Sequence, residues 1–276
     1  MNFTLTDEQI AAYGRDGFVP HRAFLSPDEV TELKGAVLDA ISDMGKNKIA
    51  SRDDSQTMTD GDSYYDSVFT QKLNLWRISD TVKRYMLHPE LGRMLTTLER
   101  ANEITADDDD GPVEGFRVWH DQALIKEPYG NPTAWHLDNP YWSFRSRHAL
   151  SIWIALEDAT PENGNMWFVP GSHRLANFDN IAIGQNLVGL FKIYPKMTAV
   201  DPVSVPMKAG DCSFHNGLTA HGAGANMTRG RRVAMTCAYM PIGSTFNGSP
   251  NILPPVILKQ LEIGDVLDND DWNPIV

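Results

Sequence analysis

Hydrophobic and polar positions change their period along this chain. Up to about residue 105 the apolar residues recur every three or four positions; from about residue 112 they fall in short runs broken by Gly, Pro and Asn. The first pattern is that of helices with one buried face, the second that of strands between turns. Thr6 and Gln9 have capping-box spacing at the start of one helix, and Ser26-Pro27-Asp28-Glu29 adds a first-turn proline to the same signal at the start of a second. Val30, Leu33, Val37, Leu38 and Ile41 give that second helix a core-facing stripe. A third helical region spans residues 81–101, carried by Tyr85, Met86, Leu91, Met94, Leu95 and Leu98 and interrupted near His88-Pro89.

The β-prone runs are 116–120, 123–126, 151–156, 166–169, 203–207, 212–215 and 233–239. Strands this short, separated by turn residues and not by helices, favour a sandwich or jelly roll over an alternating βαβ sheet. The expected architecture is therefore mainly β with flanking helices, in one domain over 1–276. It comprises a helical layer to about 105, a β core over about 112–245 and a C-terminal extension over 246–276. The polar stretch 47–65 and the acidic run 106–111 read as loops. Four consecutive aspartates lack the spaced ligands, Gly and closing Glu of a calcium loop, so the run reads as a solvated turn. Stretches 47–65 and 177–199 are expected to cover the mouth of the β core.

Composition narrows the function. The chain has 276 residues, 42% hydrophobic, with 24 Lys+Arg against 36 Asp+Glu and a net charge of −12, which argues against a nucleic-acid partner. The longest apolar stretches, such as 149–156, fall well short of the roughly 18 residues that span a bilayer, and Asp7 and Glu8 stand where a leader would be basic. No membrane partner is expected, and Cys212 and Cys237 read as reduced thiols of a cytoplasmic protein.

The informative segment is Trp135-His136-Leu137-Asp138. In an extended strand residues i and i+2 share a face, so His136 and Asp138 can offer an imidazole and a carboxylate to one cation. His221, among small residues in His221-Gly222-Ala223-Gly224, is the best third ligand, with His215 as its competitor. Two histidines and one carboxylate with open positions make the facial triad of non-haem Fe(II) oxygenases. A chelating 2-oxo acid would leave its far carboxylate reaching into the barrel, where a guanidinium is the best fixed partner. Arg232 stands at the start of the next strand; its neighbour Arg231 would face the other way. His120 and Asp121 are adjacent and so point to opposite faces.

At this point the chain resembles the phytanoyl-CoA dioxygenase-like Fe(II)/2-oxoglutarate oxygenases. The resemblance rests on Gln122 to Pro128, Trp135-His136-Leu137-Asp138 with Pro140-Tyr141-Trp142, Trp153 to Thr160, Glu162-Asn163-Gly164, Pro170-Gly171-Ser172-His173, Gly210-Asp211, and His221-Gly222 with Arg232. It extends to an opening helix over 5–19. It implies a double-stranded β-helix, related to jelly rolls and cupins, with Fe(II), 2-oxoglutarate and O2 as cofactor and cosubstrates. It further implies His136, Asp138 and His221 as iron ligands, Arg232 as the clamp on the far carboxylate, and Gln122, Trp153 and Lys72 at the cosubstrate. Tyr141 and Trp142 would border the substrate. Lys126 shares a face with Gln122 and would meet cosubstrate, substrate or solvent. One position departs from the pattern: Ala223 stands where a serine often follows His-Gly, which removes a hydroxyl contact to the cosubstrate.

The implied reaction is hydroxylation of a small-molecule metabolite with release of succinate and CO2. Related halogenases replace the carboxylate that Asp138 retains. Desaturation, epimerisation, cyclisation and endoperoxidation would use the same ligands. A zinc hydrolase and a non-catalytic cupin-like binding module are the rivals from other classes. Monomer or homodimer is the expected state.

Overall fold

The computed structural model describes residues 1–50, 68–102 and 111–276; the run of aspartates and most of 47–65 lie outside the described residues. Helix α1 (Asp7–Asp16) is capped by the reciprocal Thr6 and Gln9 contacts, and α2 (Pro27–Met44) by those of Ser26 and Glu29. The opening helix does not reach residue 19. Gly17 takes φ +78, a left-handed stop that costs glycine nothing, and the chain turns at once into strand β1 (Phe18–His21). The third helical region is two helices, α3 (Asp80–Met86) and α4 (Pro89–Arg100). His88 caps the second through its ring, and Pro89 stands at its first turn.

The remaining strands are β2 (Thr70–Leu73), β3 (Phe116–Lys126), β4 (Thr133–His136), β5 (Leu150–Ala155), β6 (Met166–Phe168), β7 (Val203–Val205), β8 (Cys212–Asn216), β9 (His221–Ala223) and β10 (Arg232–Pro241). They form two antiparallel sheets in the orders β1-β8-β5-β10-β3-β2 and β4-β9-β6-β7. From β3 to β10 the chain passes repeatedly between the two sheets, as a double-stranded β-helix does. Strands β1 and β2 come from the stretch whose periodicity predicts helices, and they extend the larger sheet at both edges. Runs 116–120 and 123–126 are one strand, because His120-Asp121-Gln122 pair without interruption with Ala238, Cys237 and Thr236.

Every described strand of the larger sheet from β3 to β10 is buried on both faces, so alternation sorts its residues between two cores. On β5, Leu150, Ile152 and Ile154 face the helical layer and pack with Leu33, Val37, Leu91 and Leu98. Trp153 and Ala155 face inward and pack with Leu124, Ala234, Met166 and Phe168 of both sheets. At roughly 1.5–3 kcal/mol for each large side chain removed from water, the outer core fixes the sheet on its helices. The inner face is thereby free to carry polar chemistry. Among the described residues no helix is long and apolar enough to cross a membrane, and both cysteines are buried and free.

Candidate metal and cosubstrate site

The smaller sheet places two of the chelating residues by register. His136 ends β4 and His221 opens β9, and the two are direct cross-strand partners with ring centroids 4.1 Å apart. His136 Nδ1 lies 2.8 Å from the Ala134 carbonyl and His221 Nδ1 2.9 Å from the Thr219 carbonyl. A carbonyl only accepts, so each Nδ1 carries the proton and each Nε2 keeps its lone pair free for a metal.

Asp138 reaches the same point by a different route from the strand alternation expected of it. Strand β4 stops at His136; Asp138 has helical φ −81, ψ −50 at the head of a short 3-10 turn, pinned by its N–H and that of Asn139 on the Gly217 carbonyl. Its Oδ1 lies 3.5 Å from His136 Nε2 and 3.6 Å from His221 Nε2. One donor atom from each of the three residues falls within 4.8 Å of the others. Two imidazoles, one carboxylate and a concave open side suit a divalent ion of the iron or zinc type.

The protonation states agree with that use. Burial pushes the His221 ring well below its usual range and His136 adds to this, so the ring is neutral at pH 7. Burial opposes the charge on Asp138, but the imidazoles of His221, His136 and His215 gathered around it outweigh burial and hold the carboxyl well below its ordinary value.

His215, the competitor for the distal position, sits behind the carboxylate. Its Nε2 lies 3.2 Å from Asp138 Oδ2, and the Ser151 hydroxyl donates to the same oxygen at 3.2 Å. Ser151 was not legible as a site residue; its one signal is that it stands two positions before Trp153 and so shares its face.

At the other end of the cavity lies Arg232, 1% exposed, its guanidinium over the rings of Trp153 and Phe69 at 5.1 and 6.0 Å. Nη2 donates to the Gly164 carbonyl at 3.4 Å, while Nε and Nη1 have no hydrogen-bond partner among the described residues. Burial lowers the group to about 10, which leaves it charged at neutral pH. A buried cation with two unsatisfied donors asks for an anion. The cavity between the triad and Arg232 encloses about 570 Å³ of space outside the protein, its open mouth included, and Gln122, Trp153, Thr133 and Ala223 are among its walls.

Three expected contacts are placed elsewhere. Lys72 donates to the carbonyls of Gly45 and Asn47 at 2.6 and 2.7 Å, at the end of α2. Alternation along β2 turns Gln71 instead toward the cavity, where it donates to Gln122. Lys126 does share the inward face of Gln122, but it is fully buried opposite Arg232 in the register of β3 and β10, donating to the Asn131 and Gly224 carbonyls. It therefore stands behind Arg232, buried and bonded to the backbone. Tyr141 uses its hydroxyl on the Ile181 carbonyl at 2.5 Å and so ties down the segment 177–199, whereas Trp142 lines the cavity. Asp121 faces the helical layer and accepts from the N–H groups of Leu75 and Trp76, with no part in the site.

The family profile of phytanoyl-CoA dioxygenase (PhyH) matches residues 13–234. Phytanoyl-CoA dioxygenase domain-containing protein 1 of Bos taurus is 23% identical over 280 residues, covering 91% of this chain and 95% of that protein. Among solved structures, the non-heme alpha ketoglutarate dependent carbocyclase SnoK from nogalamycin biosynthesis superposes with a TM-score of 0.76 at 26% identity, covering 99% of this chain and 97% of that one. The epimerase SnoN, in complex with Fe3+, alpha ketoglutarate and nogalamycin RO, gives 0.72 at 27% identity over 98% and 97% of the two chains.

Proposed function

The chain belongs to the phytanoyl-CoA dioxygenase family of Fe(II)- and 2-oxoglutarate-dependent oxygenases, and we propose that its reaction is hydroxylation of a C–H bond in a small-molecule metabolite, with release of succinate and carbon dioxide. One observation carries the assignment of the site: three convergent metal donors at one end of a cavity whose other end holds a buried guanidinium with two unpartnered N–H groups. A zinc hydrolase has use for the first of these features and none for the second.

In this reading His136 and His221 hold the iron through Nε2 and Asp138 through Oδ1. Ala134 and Thr219 fix the imidazole tautomers, and Ser151 and His215 fix the carboxylate. Arg232 takes the far carboxylate of 2-oxoglutarate over the Trp153 face, and Gln122 borders the cosubstrate. When bound, iron and 2-oxoglutarate supply the oxidising chemistry with O2. The chain supplies donor geometry, a charged anchor at a fixed distance and an apolar wall that excludes water. The substrate enters on the Trp142 side, where segment 177–199 is held by Tyr141. The enzyme acts in the cytoplasm as a monomer or homodimer.

A second reading keeps the same residues and changes the outcome: the full-length likeness to a carbocyclase and an epimerase favours cyclisation or epimerisation as the alternative to hydroxylation. Both are tested by incubating the protein with Fe(II), 2-oxoglutarate, O2 and a metabolite panel, following succinate and product mass. Hydroxylation gives succinate with a mass gain of one oxygen, and epimerisation gives succinate with none. Turnover that requires zinc and no 2-oxo acid overturns the assignment.

A further inference from the structure

We infer that Glu99, a carboxylate buried in the helical layer, is a positioning residue for the metal site: through Asn216 it fixes the turn from β8 to β9, whose backbone carbonyls orient Asp138 and His221. The inference rests on the metal-site reading above and concerns a group on the outer side of the larger sheet.

Alternation at the end of β8 sends two neighbours to opposite faces. His215 points inward, to Asp138 Oδ2; Asn216 points outward with Cys212 and Phe214, toward the helices. There its Nδ2 donates to Glu99 Oε1 at 3.1 Å and to the Arg147 carbonyl at 2.6 Å, and its Oδ1 accepts the Leu218 N–H at 2.9 Å. The turn that follows carries the carbonyls on which the ligands are set. Gly217 accepts the N–H groups of Asp138 and Asn139 at 3.0 and 2.9 Å, and Thr219 accepts from His221 Nδ1 at 2.9 Å. The turn packs tightly on the segment it holds: a Cβ on Gly217 would lie 3.0 Å from Asn139 Cβ.

A buried carboxylate is costly unless several donors meet it. The Glu99 side chain is fully buried. Beside Asn216, the Tyr13 hydroxyl and Asn102 Nδ2 donate to it, and His148 Nδ1 lies 3.2 Å from Oε2. These partners come from α1, from the chain just after α4 and from the chain just before β5, so one side chain ties the turn to three separate parts of the fold. An apolar residue of the same size would fill the space without the cost of the charge. It cannot supply an acceptor for Asn216 Nδ2, and groups behind a ligand act on the metal through bonds of this kind.

The test is calorimetric titration of the full chain with Mn(II). The visible spectrum of the Co(II)-loaded protein reports ligand geometry, and thermal unfolding of the metal-free protein reports stability. Glu99→Met keeps the volume and removes the acceptor. It should weaken Mn(II) about tenfold, the lower end of the effect of groups behind a ligand, and shift the Co(II) bands. Glu99→Gln retains one carbonyl oxygen for Asn216 and should bind within about twofold of wild type. Tyr13→Phe removes a different partner of the same carboxylate and should lower Tm while leaving metal affinity and spectrum unchanged. Asn216→Ser breaks the link from the other side, keeps an oxygen for the Leu218 N–H and should repeat the loss seen with Glu99→Met; it carries the test if Glu99→Met does not fold. The inference is overturned if either of these two variants binds Mn(II) like wild type with an unchanged spectrum, if Glu99→Gln loses as much affinity as Glu99→Met, or if Tyr13→Phe weakens the metal to the same degree. Wild-type protein that takes up no Mn(II) overturns the underlying metal-site reading instead.

Discussion

His215 Nε2 lies 3.2 Å from Asp138 Oδ2, on the side of the carboxylate turned away from the two chelating imidazoles. The two oxygens of one carboxylate thus have separate tasks. Oδ1 faces His136 and His221, and Oδ2 is held by His215 and Ser151. Groups that orient a ligand in this way set its geometry and its basicity.

Asp138→Ala removes a ligand outright. Metal content should be lost and succinate formation should fall by more than the 10- to 100-fold typical of groups around a ligand. Wild-type turnover in this variant would show that Asp138 is not a ligand.

His215→Phe keeps the ring volume and releases Oδ2. Metal affinity or turnover should drop by roughly 10- to 100-fold, and Ser151→Ala should have a smaller effect in the same direction. Because both act on one oxygen, the double variant should cost less than the two losses combined. Metal titration of the three proteins checks this; fully additive losses would mean that the residues act independently.

Arg232→Met leaves the far carboxylate with no guanidinium. The 2-oxoglutarate KM should rise about 10- to 100-fold, for a loss of roughly 1.5–3 kcal/mol, with a smaller change in kcat. An unchanged KM would move the anchor elsewhere in the cavity.

Gly164 takes φ +88, and a Cβ there would lie 2.4 Å from the Gly224 carbonyl oxygen and 2.9 Å from Lys126 Cδ. Its own carbonyl accepts from Arg232. Gly164→Ala should therefore cost about 1–3 kcal/mol of stability and also raise the 2-oxoglutarate requirement, which thermal unfolding and KM measure separately. Loss of stability alone would detach Gly164 from the anchor.

Lys126 is pushed down to about 6, first by burial and then by the neighbouring Arg232 charge. Its value in the unfolded chain is the higher, so the folded state carries the cost of that charge in full below pH 6, and the cost is relieved as pH rises above the folded value. Lys126→Met removes this cost and, at every pH alike, the hydrogen bonds that Lys126 donates to the Asn131 and Gly224 carbonyls. The stability of Lys126→Met relative to wild type should thus be higher at pH 6 than at pH 9, by about 1 kcal/mol or more, or roughly 2–4 °C in Tm. A difference that does not vary with pH would mean that the ammonium is not held in a dry site.

Much of this protein is written locally. The caps at Thr6 and Ser26, the break at His88-Pro89, the β-prone runs and the His136-Leu137-Asp138 segment are visible because helix ends, strand alternation and ligand spacing depend on neighbours a few residues away. Even there Asp138 meets His136 through a turn and not through the alternation that suggested it. The rest was decided by pairing between distant strands. Whether Lys72 or Gln71 faces Gln122 depends on the register of β2 on β3, and whether Lys126 meets a substrate or stands behind Arg232 depends on the register of β3 on β10. That β1 and β2 are strands at all, that His215 supports a ligand in place of being one, and that Thr133 lies opposite Ala223 are likewise tertiary facts. A one-residue slip in any of these pairings would turn each side chain to the other face, and residue order alone does not fix the register of strands that lie far apart in the chain.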